Sequence, residues 1–207
     1  APALVENTRL IEPDYRHPEH LDKLLADRAI RWLRDHQATA ATKPFFLYYA
    51  TGTPHAPQHA PREWIEKFKG KFDRGWDVTR KETYQRQKRM GIIPANTDLT
   101  PRQTEIPSWD SISPDRRRIY ARMMEVYAAT LAHADHQIGR VIEELRAEGK
   151  LDNTLIMFVQ GDNGASQEGS LRGTTSQWAT VANGVDEDTP YLLSQLDEMG
   201  GPKSFQN

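Results

Sequence analysis

Hydrophobic and polar positions along the chain alternate between a helical period and short apolar runs. Residues 18–37, PEHLDKLLADRAIRWLRDHQ, have an amphipathic period that predicts a helix. Its predicted apolar face carries Leu21, Leu25, Ala29, Trp32 and Leu33. Residues 45–50, FFLYYA, follow after a short connection, and their length and aromatic content predict a strand that is buried on both faces.

The same order of elements recurs in the second half of the chain. Apolar residues at steps of three and four predict a helix over residues 114–148, which Gly149 is placed to end. The following LDNTLIMFVQGDNG, residues 151–164, predicts a second buried strand that ends in a Gly-Asp-Asn-Gly turn. Repetition of helix, short loop and buried strand is typical of an α/β fold with a mostly parallel sheet between helices.

Two stretches do not follow this order of helix, short loop and strand. Residues 62–113 are polar with scattered turn signals, so we expect an irregular insertion that carries short helices, on the substrate side or as a lid. The tail from residue 165 is rich in Gly, Ser and Thr, and its clearest helical candidate is PYLLSQLDEM, residues 190–199.

Composition narrows the classes of partner. The chain has 207 residues with 27 Lys+Arg against 29 Asp+Glu, so its net charge of −2 gives no global attraction to nucleic acid or an anionic membrane. No apolar run is long enough to span a bilayer, and the N-terminus lacks the features of a signal peptide. The absence of cysteine excludes disulfides and thiolate metal sites within these residues. The bacterial periplasm and the cytoplasm both stay open as compartments, and the oligomeric state stays open too.

Two polar loops follow the predicted strands, where ligand sites of parallel sheets form. Asp162 and Asn163 offer a carboxylate and an amide oxygen, which calcium and magnesium prefer, although two ligands are too few for a site and an ordinary turn is the alternative. In TGTPHAPQHAP, residues 51–61, the prolines exclude a helical zinc pair of His55 and His59. A proline-braced loop suits a catalytic acid, and a solvated loop histidine is the alternative.

The predicted long helix carries further titratable residues. Asp135 lies on its predicted apolar side, where we expect a buried carboxylate that is hydrogen-bonded to a loop, with a metal ligand as the alternative. His133 and His136 are expected to face solvent or the flank of the helix.

Three segments of the chain resemble the sulfatase family, and bacterial arylsulfatases within it. They are PFFLYYATGTPHAPQHAP, YAATLAHADHQIGRVIEELRAEG and DNTLIMFVQGDNG. The stretches GWDVTRKETYQRQKRMGIIPANTDLTPR and VANGVDEDTPYLLSQLDEMGGP resemble the same branch, so the resemblance covers nearly the whole chain in order. It implies the α/β fold of the alkaline phosphatase superfamily, of which this chain would hold part of the mostly parallel sheet with flanking helices, incomplete at both ends.

The resemblance also implies roles for four residues. Asp162 and Asn163 match the family's second pair of calcium ligands, and His55 matches the histidine beside the leaving-group oxygen of the sulfate ester. His59 lies in the same motif without a fixed catalytic role, and we expect it only as a substrate-binding residue of the pocket. The implied activity is hydrolysis of a small-molecule sulfate monoester to sulfate and an alcohol or phenol.

Other parts of the family's site have no match in these residues. The formylglycine nucleophile arises from a Cys/Ser-x-Pro-x-Arg motif, which this sequence lacks. The N-terminal Asp-Asp pair, the Lys-x-His segment and the downstream sulfate-contacting lysine are also unmatched. We therefore expect residues 1–207 to be an interior portion of an N-terminal catalytic sulfatase domain, with half of the calcium ligands and no turnover in isolation.

Two other functions stay open at this point. A phosphonate or phosphate ester hydrolase of the same superfamily would be favoured by Asp and His zinc ligands after GDNG, which the sequence does not show. A catalytically inactive binding module would keep the fold without the nucleophile. The presence of His55 together with Asp162 and Asn163 argues against that module.

Overall fold

The computed structural model describes residues 4–12, 14, 19–161 and 169–206. These residues form β1 Leu4–Glu6, β2 Arg9–Ile11, α1 Leu21–Ala40, α2 Arg62–Glu66, α3 Gly75–Arg89, α4 Pro114–Ala147 and α5 Thr189–Ser194. Short 3₁₀ turns span Trp109–Ser111 and Leu151–Asn153, and a π-helix spans Trp178–Ala182. Among the described helices, none is both long and apolar enough to cross a membrane. The chain divides into two compact units, residues 1–52 with 134–157 and residues 53–133 with 158–207.

The first unit is built on α1 and the C-terminal part of α4. Its buried core consists of Ala26, Ala29, Ile30 and Leu33 from α1 with Val141 and Leu145 from α4. Helix α1 is thus confirmed, but its buried face is rotated from the predicted one, since Leu21 and Trp32 are exposed. The alanines at 26 and 29 explain the shift, because small side chains let a second helix pack closely against that face.

Residues 45–50 differ from the prediction of a strand buried on both faces. Phe45, Leu47 and Tyr49 pack against the core of the first unit. The alternate side chains are open to solvent, with Phe46 86% exposed and Tyr48 81% exposed. The segment therefore has the two-residue side-chain period of a strand, with one buried face.

A parallel sheet is not seen among the described residues. The one named sheet there is the antiparallel pair of β1 and β2, in which Leu4 faces Ile11 and Glu6 faces Arg9. Residues 154–161 are assigned to no strand, and large apolar side chains of this stretch are exposed. The predicted parallel arrangement thus stays a prediction from the family resemblance.

Helix α4 ends as the sequence predicts. Gly149 adopts a left-handed conformation with φ 68°, and its N–H donates to the carbonyl of Arg146 at 3.0 Å. The N–H of Lys150 donates to the carbonyl of Leu145 at 2.9 Å. This pair of bonds is a Schellman motif, which satisfies carbonyl groups that the end of a helix leaves open.

The second unit packs its loops on the N-terminal part of α4. Its buried core is formed by Ala60, Ile65, Ile119, Val126, Ala129, Leu192 and Met199. Helix α5 confirms the first half of the helix predicted at residues 190–199, since it ends at Ser194 and turns follow. The sequence-predicted apolar face of α4 is wrong in part, because Leu131 is exposed while Glu125 and Thr130 are buried.

The insertion at residues 62–113 is more regular than predicted, since α3 alone has 15 residues. The segment between the end of α3 and the start of α4 is held to α3 by polar and aromatic contacts. Trp76 meets Trp109 edge to face at 4.8 Å, and the Tyr84 hydroxyl donates to the carbonyl of Thr97 at 2.6 Å. The backbone N–H of Trp109 donates to Asp77 at 2.8 Å, and this bond holds the pKa of that carboxyl below its usual range.

Gly75 provides a test of the packing of the insertion. Its φ is +76°, and a Cβ added there would lie 2.0 Å from the Trp109 ring, whereas Gly91 has φ +69° and open space around it. Gly91→Ala should lower the free energy of unfolding by about 1 kcal/mol through the left-handed backbone alone. Gly75→Ala should lower it by about 1–3 kcal/mol more because the ring must move. Chemical denaturation of both variants measures the difference, and equal losses would contradict the contact.

The pKa of Tyr49 predicts how the stability of the first unit changes at alkaline pH. Burial, with a contribution from the charge of Asp22, raises the pKa of Tyr49 to about 12. Because the folded state resists ionisation of this phenol, its contribution to stability is present below about pH 10 and is lost as pH rises through about 12. Tyr49→Phe should flatten the loss of stability between these pH values. Tyr48→Phe is the matched control at an exposed position, and the same flattening in both variants would contradict the assignment.

Candidate functional site

The loop at residues 51–61 presents His55 to solvent. His55 is exposed, and its Nδ1 lies 3.0 Å from the carbonyl oxygen of Ala56. Two proline peptide bonds, Thr53–Pro54 and Ala56–Pro57, are cis and flank this residue. Since a carbonyl oxygen only accepts, the contact favours the proton on Nδ1 and makes Nε2 the nitrogen that can exchange a proton with a ligand.

Backbone and side-chain bonds fix the downstream half of this loop. The N–H of Gln58 donates to the carbonyl of Gln206 at 3.1 Å, and the N–H of Ala60 donates to the carbonyl of Gly200 at 3.2 Å. The Thr130 hydroxyl of α4 lies 3.1 Å from the carbonyl oxygen of His59. The loop is therefore attached on one side to residues 200–206 and on the other to α4.

His59 takes part in this attachment. It is half-buried, and its Nε2 is hydrogen-bonded to the carbonyl oxygen of Ser204. Because that partner accepts, Nε2 carries the proton and donates it. The sequence predicts instead a pocket residue that binds substrate, and no contact among the described residues tests that role, so it stays a prediction.

Residues 204–206 form the middle of a small hydrogen-bonded layer. On one side the N–H of Phe205 donates to Thr175 at 2.8 Å, and the N–H of Gln177 donates to Phe205 at 3.1 Å. On the other side Gln206 pairs with Gln58 through both backbone and side chain. Alternate groups of one extended segment thus reach two neighbours, as in the middle strand of a sheet. The layer joins the His55 loop to residues 175–177.

A buried carboxylate supports the outer part of this layer. Glu187 accepts from the N–H of Thr175 at 2.7 Å and from the hydroxyls of Thr174 and Thr175, each at 3.0 Å. Three donors satisfy a carboxylate that is only 6% exposed. Such pairing compensates the cost of removing the charge from water, so residues 174–175 are held in one conformation.

The predicted metal ligands Asp162 and Asn163 lie outside the described residues, in the stretch 162–168. The described chain resumes at residue 169 and enters the layer at Thr175. Contacts of the two ligands with His55 are therefore untested, and their roles stay predictions.

Two expectations about α4 are corrected. Asp135 is exposed, so it is not the buried carboxylate that the sequence predicts. His133 is buried rather than solvent-facing, and its ring meets Trp64 edge to face at 5.6 Å. His136 is exposed, as expected.

Sequence reasoning missed Thr130 and Gln206 as residues that hold the loop. Their partners His59 and Gln58 lie 71 and 148 positions away in the chain, so no local spacing links them. The available signal was the presence of polar residues on the otherwise apolar face of α4, which points to a partner inside the protein.

Comparisons with known proteins point to one family. The family model described as Sulfatase matches residues 3–195 of the chain. An uncharacterized sulfatase of Schizosaccharomyces pombe is 35% identical over 181 residues, which is 87% of this chain and 31% of that protein. An arylsulfatase of Klebsiella aerogenes is 34% identical over 157 residues, which is 75% of this chain and 33% of that protein.

A more distant relative has a similar extent. An arylsulfatase of Clostridium perfringens is 27% identical over 169 residues, which is 76% of this chain and 32% of that protein. The chain thus spans about a third of the length of the curated relatives that it matches. The match of the family model covers both the His55 loop and the stretch with Asp162 and Asn163.

Proposed function

The chain belongs to the sulfatase family, and from that premise we propose that the full-length protein is a sulfuric ester hydrolase of the arylsulfatase type. Its substrate would be a small-molecule sulfate monoester, and its products sulfate and an alcohol or phenol. The names of the relatives from Klebsiella aerogenes and Clostridium perfringens support the aryl ester as the substrate class. The single observation that carries the proposal is the exposed His55 on a loop that the second unit fixes from two sides.

His55 would act as the general acid of this reaction. As the attacking nucleophile of the full-length protein would form its bond to sulfur, the S–O bond to the leaving group would break. The electron pair of that bond would go to the ester oxygen, which would take the proton from Nε2 of the imidazolium and leave a neutral imidazole. The contact between Nδ1 and the carbonyl oxygen of Ala56 supports this role, because it orients the ring and keeps Nε2 as the transferring atom. Proton donation matters most for leaving groups that are poor as free anions.

Asp162 and Asn163 would hold part of a calcium site. One carboxylate and one amide oxygen are the donor types that this hard cation prefers, so the chemistry of the pair fits. The ion, when bound, would supply positive charge beside the sulfate oxygens. Further along the described chain, residues 175–177 belong to the layer that fixes the loop of His55.

The role of His55 predicts a dependence on the leaving group. In the full-length protein, His55→Ala should lower kcat by about 10²–10⁴-fold for phenyl sulfate and by much less for 4-nitrophenyl sulfate, whose phenolate leaves without a proton. Steady-state kinetics on a series of substituted phenyl sulfates measures this trend. His136→Ala, which removes an exposed histidine elsewhere, is the matched control and should leave the rates unchanged.

Equal losses along the series would remove His55 from the proposed role. Faster hydrolysis of the corresponding phenyl phosphates than of the sulfates would instead move the protein to phosphoester chemistry. Binding of the sulfates without any turnover would favour an inactive binding module.

The metal assignment predicts a loss of calcium affinity. Asp162→Ala should weaken calcium binding more than Asn163→Ala, because it removes a charge as well as an oxygen ligand. Isothermal titration of the full-length variants with calcium, after chelation and dialysis, measures the change. Asp152→Asn removes a carboxylate at an exposed position and serves as the control. Unchanged affinity in the Asp162 and Asn163 variants would contradict the assignment.

A further inference from the structure

His59 and His55 have opposite environments within one short loop. His55 is exposed, and its Nδ1 contacts the backbone carbonyl of its neighbour Ala56. His59 is half-buried and reaches Ser204, a residue 145 positions further along the chain. A side chain whose ring donates to a distant backbone carbonyl ties two segments together.

Hydrogen bonds from α4 and from residues 200–206 converge on residues 58–60. The ring of His59 donates to Ser204, and the His59 carbonyl oxygen lies 3.1 Å from the Thr130 hydroxyl, whose single proton is shared with the Val126 carbonyl at 2.9 Å. The neighbouring Gln58 is paired with Gln206, whose side chain is fully buried and also donates to the carbonyl of Met123 at 3.1 Å. The loop end is therefore fixed by α4 on one side and by residues 204–206 on the other.

The short stretch between His55 and His59 limits how far His55 can move relative to the anchored residues 58–60. Only Ala56, Pro57 and Gln58 separate them, and the ring of Pro57 fixes its own φ. Few backbone dihedrals can therefore change without moving His55 relative to the anchored end. Displacement of a proton donor by about 1 Å is enough to reduce a rate by about 10²-fold.

We propose that His59 is a positioning residue, whose ring and carbonyl hold the loop so that Nε2 of His55 faces the ester oxygen. The inference rests on the proposed function, because it gives His59 an effect through the acid role of His55. It differs from the alternative in which His59 touches the substrate, since the described contacts turn its Nε2 towards Ser204.

Positioning, substrate binding and stabilisation of the fold predict different kinetics for variants of His59. A positioning residue should affect kcat and leave KM nearly unchanged, and its loss should grow as the leaving phenol becomes more basic, as for His55. A residue that binds substrate in the ground state should raise KM by a similar factor for every ester. A residue that only stabilises the fold should lower the active fraction, and therefore every rate, by one common factor.

The experiment compares variants of the full-length protein on the substituted phenyl sulfates. His59→Ala should lose about 10-fold or more in kcat for phenyl sulfate relative to 4-nitrophenyl sulfate. His59→Gln should restore most of this loss, because its amide N–H can donate to the Ser204 carbonyl from a similar distance. His59→Asn is too short for that bond and should behave like His59→Ala, which keeps the test valid if the alanine variant does not fold.

A double variant completes the test. Because His59 acts through His55, His55→Ala/His59→Ala should be no slower than His55→Ala alone. Additive losses, a uniform loss along the series, or a change confined to KM would overturn the positioning role. The failure of the proposed function looks different, because His55→Ala itself would then show no dependence on the leaving group.

Discussion

The buried side chain of Gln206 is the contact on which the arrangement of the second unit depends. Its amide donates to Gln58 in the histidine loop and to the carbonyl of Met123 in α4, and its backbone carbonyl accepts from Gln58. A buried polar group that loses its partner costs about 1–3 kcal/mol, so the three segments are favoured in one mutual arrangement. This arrangement also fixes the position of the exposed His55.

Polar side chains on α4 connect the apolar core to the loops around it. Glu125 accepts from the N–H of Gly70 at 2.7 Å and from Arg122 at 3.1 Å, while Thr130 reaches the carbonyl of His59. Side chains of α4 thus provide partners for backbone groups of the neighbouring loops that regular secondary structure does not pair. The same principle explains Glu187, which satisfies the residues at 174–175 in place of a strand partner.

Local periodicity was enough to predict α1, α4 and the start of α5, and Gly149 marked the end of α4. It was not enough for the buried face of α4, since an apolar-stripe rule places Leu131 inside and Thr130 outside. It also missed the length of α3, because that helix is held by Trp76 and Tyr84 rather than by an apolar stripe. For the site, the motif indicated His55, but the contact of His59 with Ser204 spans 145 positions and no local pattern contains it.

The exposed run at residues 155–159, Leu-Ile-Met-Phe-Val, affects the solubility of the protein. Residues 154–161 contain no charge and no proline, and uncharged apolar segments of this kind pair readily with copies of themselves. Exposed, uncharged segments of this kind favour aggregation, so we expect the solubility of the protein to depend on whether residues 155–159 are covered.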